Sequence, residues 1–251
     1  MNTIGFYDSG VGGISVLKEA MTWLPNEDYV YFGDTKNAPY GTKRQDEIEQ
    51  FALNAVSYLL NKNAKAIVIA CNTATAAAAA TLRSRFDLPI IGMEPALKPA
   101  HEIRKKGSIL VMATPLTLEL PKFQSLMLQY GEGAISVPCP GLMKFVEDDI
   151  LEGEALDRHI VSLIGPYLEK PIDAVVLGCT HYVFLKNAIK KWLPPAAQLL
   201  DGNHGTVMQL KRRLGEMNAL NSDNHKGTVE LSMSYECPET RALMEKLLYQ
   251  T

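Results

Sequence analysis

Two stretches decide how this sequence folds: Ala66-Ile67-Val68-Ile69-Ala70-Cys71-Asn72-Thr73 and Ala174-Val175-Val176-Leu177-Gly178-Cys179-Thr180-His181. In each, a short β-branched run stops at a small residue, followed by a cysteine and then by small hydrogen-bonding residues. Apolar runs of this length read as strands buried on both faces of a parallel sheet. Open α/β sheets place ligands at the C-terminal ends of such strands. Each half of the chain therefore offers one thiol to a shared site.

The rest of the sequence fits around these strands. Further strand patterns cover Thr3–Tyr7, Tyr29–Gly33, Pro89–Gly92, Ser108–Met112, Ala134–Pro138, Gln198–Leu200 and Thr228–Tyr235, with amphipathic stretches at Lys43–Asn61, Ala74–Phe86, Leu116–Tyr130 and Glu154–Leu168 between them. This alternation predicts an α/β protein built from βαβ units with mainly parallel sheets. The five alanines at Ala76–Ala80 suit a helix packed close to a sheet. A weak repeat is visible: Cys71 follows the strand end at Asp8 by 63 residues, and Cys179 follows the strand end at Thr114 by 65. Two similar domains are expected, with the boundary at Glu94-Pro95-Ala96. The first comprises residues 1–95 plus about 203–251, and the second residues 96–202.

Composition narrows the function. The chain has 251 residues, 47% of them hydrophobic and 21% charged, as in a globular protein with a full core. A net charge of −3, with the charges scattered, argues against nucleic acid or an anionic membrane as partner. No apolar run is long enough to span a bilayer, and Met1-Asn2-Thr3-Ile4 does not open a signal peptide. Four cysteines without CxxC or Cys/His zinc spacing fit neither a disulfide framework nor a metal centre, so no metal is expected. Free thiols suit a reducing cytoplasm.

Cys71 and Cys179 carry the chemistry. A thiol with an ordinary pKa of about 8.5 supplies both thiol and thiolate near neutrality. Two facing thiols can remove a proton from one side of a carbon and return it on the other. A position after a strand and before a helix N-terminus is expected to favour thiolate at each sulfur. A single such cysteine would more often be a small core residue; two in matched contexts reverse that reading. Cys237 reads as structural, and Cys139 is assigned no chemistry. His181, at the start of a helix, and Asp8, at the end of the first strand, can exchange protons with a sulfur within hydrogen-bond reach. The loop Gly10-Val11-Gly12-Gly13 matches neither the dinucleotide fingerprint nor the P-loop, so its N–H groups are expected to face a carboxylate.

Several motifs together resemble the aspartate/glutamate racemase family: Gly5-Phe6-Tyr7-Asp8-Ser9-Gly10-Val11-Gly12-Gly13, Gly33-Asp34-Thr35, Pro39-Tyr40-Gly41, Ala70-Cys71-Asn72-Thr73-Ala74, Glu94-Pro95, Cys139-Pro140, Val146-Glu147 and Gly178-Cys179-Thr180-His181-Tyr182. The resemblance implies two α/β domains related by a pseudo-two-fold, with the site in the cleft between them. It implies 1,1-proton transfer at the α-carbon of glutamate without a cofactor, providing D-glutamate for peptidoglycan. By the same resemblance Cys71 acts on the D-enantiomer with help from Asp8, and Cys179 acts on the L-enantiomer with help from His181. Glu147 is a further acidic residue near the cleft. Ser9, Tyr40, Gly41, Asn72, Thr73 and Thr180, with Asp8 and His181, match positions that bind substrate, and Thr114 and Thr117 belong to the same wall. Family members are commonly homodimers in more than one arrangement, and no apolar stripe here selects one. The nearest alternative is an aspartate racemase; His181 favours glutamate, because relatives acting on aspartate usually carry glutamate after Cys-Thr. A redox dithiol is disfavoured by the 108 residues between the cysteines. Three positions depart from the family pattern: Val183 for a frequent proline, Lys36-Asn37 where arginine often stands, and Thr75 for a more usual serine.

Overall fold

The computed structural model describes residues 3–222 and 226–250. Met1 and Asn2, which open the N-terminal stretch read above, and residues 223–225 and 251 of the last segment lie outside that range. The first half alternates strictly: β1 (Thr3–Asp8), α1 (Ile14–Trp23), β2 (Tyr29–Gly33), α2 (Gln45–Asn61), β3 (Ala64–Ile69), α3 (Asn72–Arg85) and β4 (Ile90–Gly92). The chain then runs through α4 (Leu97–Ile103), β5 (Ser108–Ala113), α5 (Pro115–Glu119), α6 (Pro121–Tyr130), β6 (Ala134–Pro138), α7 (Leu142–Glu147), α8 (Glu154–Ile164), β7 (Ile172–Leu177), α9 (Lys186–Lys190) and β8 (Gln198–Asp201). It ends with α10 (Asn203–Glu216), β9 (Val229–Met233) and α11 (Pro238–Tyr249).

Two sheets result, in the orders β4-β3-β1-β2-β9 and β6-β5-β7-β8. Every strand pairing is parallel among the described residues. The last segment returns to the first sheet, where β9 pairs with β2 from Tyr29↔Val229 to Gly33↔Met233. The register of β1 on β3 shifts at its first residue, between Thr3 and Ile4, and β5 on β7 shifts likewise between Ser108 and Ile109. The same irregularity therefore recurs beside each cysteine-bearing strand.

Burial explains the strand pattern. Ala66–Ile69 and Ala174–Leu177 are inaccessible to solvent along their whole length, because helices cover both sheet faces. Truncating one of these branched residues to alanine costs about 2–5 kcal/mol. Ala74, Ala77, Ala78 and Ala79 of α3 are buried against the first sheet, as the alanine run predicts. At the N-terminal edge of the first sheet, Lys65 and Glu27 form a nearly inaccessible ion pair at 2.6 Å, and Lys65 also donates to the Ala219 carbonyl, which ties the last segment to the first sheet.

One expected element is corrected. Leu116–Tyr130 is two helices, α5 and α6, separated by Leu120 with φ −68° and ψ 142°. Pro121 is the cause: a residue preceding proline is pushed out of the helical region, and proline then starts the next helix at its first position.

Candidate active site

The loops after β1, β3, β5 and β7 converge at the C-terminal edges of the two sheets. Asp8 ends β1, Cys71 lies just past β3, Thr114 follows β5, and Cys179 lies just past β7. Cys71, Thr114 and Cys179, with their neighbours, line one narrow cavity of about 20 Å³, whereas Asp8 is wholly buried and does not line it. Its wall comprises Ser9, Pro39, Tyr40, Gly41, Cys71, Asn72, Thr73, Thr114, Met143, Gly178, Cys179, Thr180 and His181. Both thiols are thus on one small space, one from each sheet.

The glycine loop after β1 is shaped by the residues it meets. A Cβ on Gly12 would collide with His181 Nδ1 and lie 2.5 Å from Thr180 Oγ1, and one on Gly10 would collide with Glu147 Oε1. A Cβ on Gly13 would lie 2.6 Å from Asp8 Cβ. The glycines let the first sheet's loop press directly on residues of the second. The loop's N–H groups do face carboxylates, and these are the protein's own: Val11 N donates to Glu147 Oε1 at 3.1 Å and Gly10 N to Asp8 Oδ1 at 2.8 Å.

The two thiols have different surroundings. Cys71 caps α3, and its Sγ accepts from Ala74 N at 3.4 Å and lies 3.6 Å from Ser9 Oγ. The helix terminus does not make it a thiolate: burial, reinforced by the Asp8 charge, pushes the Cys71 thiol up to about 12. Cys179 precedes a 3₁₀ turn over Thr180–Leu185 and not an α-helix, so the dipole expected there is not available. What it has instead is His181, whose Nδ1 lies 3.7 Å from the sulfur. His181 is buried and sits within that turn, with Nε2 2.7 Å from Glu147 Oε1. Burial alone would lower the His181 pKa, but its hydrogen bonds to Cys179 and Glu147 hold it well above the ordinary value. Burial opposes ionisation of Glu147, yet the His181 bond and charge and the Val11 amide bring its carboxyl below the usual range.

Asp8 stands between the halves. Beyond Gly10, it accepts from the Thr180 hydroxyl at 3.2 Å, and burial raises its pKa despite His181 and these donors. Its hydrogen bonds thus reach toward the Cys179 side, while Ser9 is the hydroxyl beside Cys71.

On the facing wall, Thr73, Thr114 and Thr117 form a triangle of hydroxyls at 2.8–3.1 Å that joins α3 of the first half to α5 of the second. Asn72 is buried, and among the described residues neither its Nδ2 nor its Oδ1 has a hydrogen-bond partner. An unpaired buried amide costs about 1–3 kcal/mol, and Asn72 leaves both its donor and its acceptor open beside the cavity. Pro39 and Gly178, which belong to the motifs quoted above but were given no role, also line the cavity, as does Met143, which went unread in the sequence; an apolar methionine inside a helix carries no distinguishing signal. Cys139 is buried in the core, whereas Cys237 is half-buried and its thiol donates to Glu239 Oε2 at 2.8 Å. Among the variant positions, Thr75 joins the first sheet's end, accepting from Met93 N at 3.0 Å and donating to the Ile69 carbonyl at 3.1 Å. Among the described residues no group of three or more His, Cys, Asp or Glu is arranged to hold a metal ion, and no helix is long and apolar enough to cross a membrane.

Residues 14–210 match the model of the Asp/Glu/Hydantoin racemase family. The chain is 51% identical over 248 residues to a glutamate racemase of Clostridium novyi (strain NT), covering 98% of this chain and 96% of that protein. In structure it resembles a glutamate racemase isoform from Bacillus anthracis, with TM-score 0.89, 30% identity and coverage of 98% and 94% of the two chains. It also resembles the Francisella tularensis glutamate racemase solved in complex with D-glutamate, with TM-score 0.86, 29% identity and coverage of 100% and 94%.

Proposed function

Because the chain belongs to the Asp/Glu/Hydantoin racemase family, as an isomerase of the glutamate racemase kind, we propose that it interconverts L- and D-glutamate with Cys71 and Cys179 as its two acid–base groups. The observation that carries this reading is the pair of thiols on one cavity, one from each sheet. In the L-to-D direction, Cys179 as thiolate removes the α-proton, with His181 held beside it by Glu147. Cys71, kept as the thiol by its burial, gives its proton to the opposite face of the carbanion. The enzyme is left with a Cys71 thiolate and a Cys179 thiol, and either the reverse reaction or proton exchange with water restores the starting state.

The α-proton of an amino acid is weakly acidic, so the charge-separated transition state needs dense donors in a dry space. Ser9, Asn72, Thr73, Thr114, Thr117 and Thr180 supply amide and hydroxyl groups. Asp8 and His181 bind substrate as well as serving the thiols, and Tyr40 and Gly41 form the remaining wall. No cofactor or metal takes part. Residues 1–95 with 203–251, and residues 96–202, act as two domains that open to admit substrate and close to exclude water. The reaction provides D-glutamate for peptidoglycan in the cytoplasm.

The test is circular dichroism of each glutamate enantiomer, then each aspartate enantiomer, with purified protein, EDTA and no pyridoxal phosphate. Decay of the glutamate signal to zero from both sides supports the reading. Decay with aspartate only keeps the mechanism and replaces the substrate. No decay with either, in a reduced and folded sample, overturns it.

A further inference from the structure

Tyr40, on the cavity wall, forms with Tyr7, Asp34 and Asn37 a line of hydrogen bonds that proton transfer between the thiols does not use. The Tyr40 hydroxyl donates to Asp34 Oδ2 at 2.6 Å. The Tyr7 hydroxyl, 2.6 Å from that of Tyr40, therefore donates to it. Asn37 Nδ2 donates to both Asp34 oxygens at 3.0 Å. Tyr7, Tyr40 and Asp34 are 0%, 2% and 3% exposed. Asp34 N donates to the Asp8 carbonyl at 2.9 Å, so the line is anchored on the end of β1.

A carboxylate this deeply buried is costly unless it is fully hydrogen-bonded. Asp34 meets that condition with three bonds from neutral donors. The arrangement fixes Tyr40 in two ways: its hydroxyl is held by Asp34 and Tyr7, and its ring packs between those of Tyr7 and Phe51, with centroids 6.3 and 5.7 Å away. Tyr40 lines the cavity with its hydroxyl engaged by Asp34 and Tyr7. The adjoining Gly41 closes against the second half, since a Cβ there would lie 3.1 Å from Thr114 Cβ. Burial raises both phenols far above their ordinary value, so they remain protonated at any working pH.

We propose that Asp34 is a positioning residue: through Tyr40 and Tyr7 it fixes the Pro39–Gly41 wall of the cavity, and so sets the affinity for substrate without taking part in proton transfer. This rests on the glutamate-racemising reading above, because the wall has that role only if glutamate fills the cavity.

The experiment compares Tyr7→Phe, Asp34→Asn and the double variant with the wild type. Initial rates with both glutamate enantiomers across pH 6–10 are combined with the isotope effect on α-deuterated glutamate and the thermal midpoint. Losing one net hydrogen bond corresponds to about a fivefold change in an equilibrium. Tyr7→Phe is expected to raise KM about fivefold and Asp34→Asn about tenfold or more, with kcat, isotope effect and pH profile retained. The double variant should be no worse than Asp34→Asn alone, because the line acts as a unit. A lowered midpoint with unchanged KM would make the line merely structural and overturn the proposal. A fall in kcat at constant KM, or a shifted pH limb, would place the line in proton transfer and overturn it equally. If Asp34→Asn does not fold, Tyr7→Phe decides by the same criteria. A wild type inert on glutamate is seen before any variant and removes the reading of the cavity itself, and this inference with it.

Discussion

His181 is held from both sides of its ring: Nε2 lies 2.7 Å from Glu147 Oε1, and Nδ1 lies 3.7 Å from Cys179 Sγ. Glu147 Oε1 also accepts from Val11 N, on the loop after β1. One carboxylate oxygen therefore orients the imidazole toward the sulfur and ties the first sheet's loop to the second sheet's turn. With Nε2–H directed at Glu147, Nδ1 faces the thiol as an acceptor or the thiolate as a donor, which are the two states a proton shuttle needs.

Replacing Glu147 by Gln tests this relationship. The amide keeps the shape and removes the charge, so the His181 pKa falls and the alkaline limb of the rate profile moves to lower pH. We expect kcat to drop about ten- to hundredfold, at the low end of what an acid–base group contributes. Stability should change with pH in a defined sense. The raised His181 contributes fully below its ordinary 6.5 and loses that contribution as pH rises through its folded value. The lowered Glu147 contributes above its ordinary 4.5 and loses that contribution as pH falls through its folded value. The wild type should therefore exceed Glu147→Gln in stability most between these two values, as measured by urea melts at a series of pH values.

Cys71→Ser and Cys179→Ser should each reduce racemisation by at least about a thousandfold, since an alcohol replaces a group that must titrate near neutrality. Both should melt as the wild type does. Thiolate absorbance near 240 nm gives a second readout: in Cys179→Ser, Cys71 should titrate only toward pH 12, as its burial dictates. If either variant racemises glutamate near the wild-type rate, the two-thiol mechanism fails.

Gly12→Ala places a methyl group on His181 Nδ1 and Thr180 Oγ1. Activity should fall at least about a hundredfold, because the displaced group is the one facing Cys179 and sub-ångström misplacement is costly in catalysis. Gly205→Ala is the control. It lies in α10, and nothing stands within 4 Å of its added Cβ. It should retain full activity and gain about 0.5–1 kcal/mol from helix propensity, as read by denaturant titration.

The framework of this fold was legible because buried parallel strands leave a plain signature. Ala66–Ile69 and Ala174–Leu177 had to be β-branched and small to fill space under helices on both sides, and the thiols had to follow them. Harder to read was anything set by partners distant in sequence. Thr180 bonds to Asp8 across 172 positions and Val11 to Glu147 across 136, and no local pattern encodes either contact. The resemblance pairs Asp8 with Cys71, and the structure adds the Ser9 hydroxyl beside that sulfur. The break at Leu120 was encoded, in Pro121, but helical periodicity on both sides outweighed it. The dipole argument failed at Cys71 because desolvation of a buried sulfur exceeds the help of one helix end.

Asp8→Asn should separate stability from activity. The asparagine carbonyl can accept from Gly10 N as Asp8 Oδ1 does, and its amide can donate to the Thr180 oxygen, so both contacts survive the exchange. What disappears is a buried charge. Burial raises the Asp8 pKa above its ordinary 3.8, so the folded state binds its proton more tightly than the unfolded chain does. The associated stability is present below the unfolded value and is lost as pH rises through the folded one. At pH 8 the wild type bears that penalty and Asp8→Asn does not, so the variant should melt at a higher temperature there, with the difference vanishing toward pH 3. Activity should move the other way and fall about a hundredfold or more, because the charge that biases Cys71 toward its thiol is gone. A variant that melts higher yet racemises glutamate at the wild-type rate would show that the Asp8 carboxylate takes no part in the reaction.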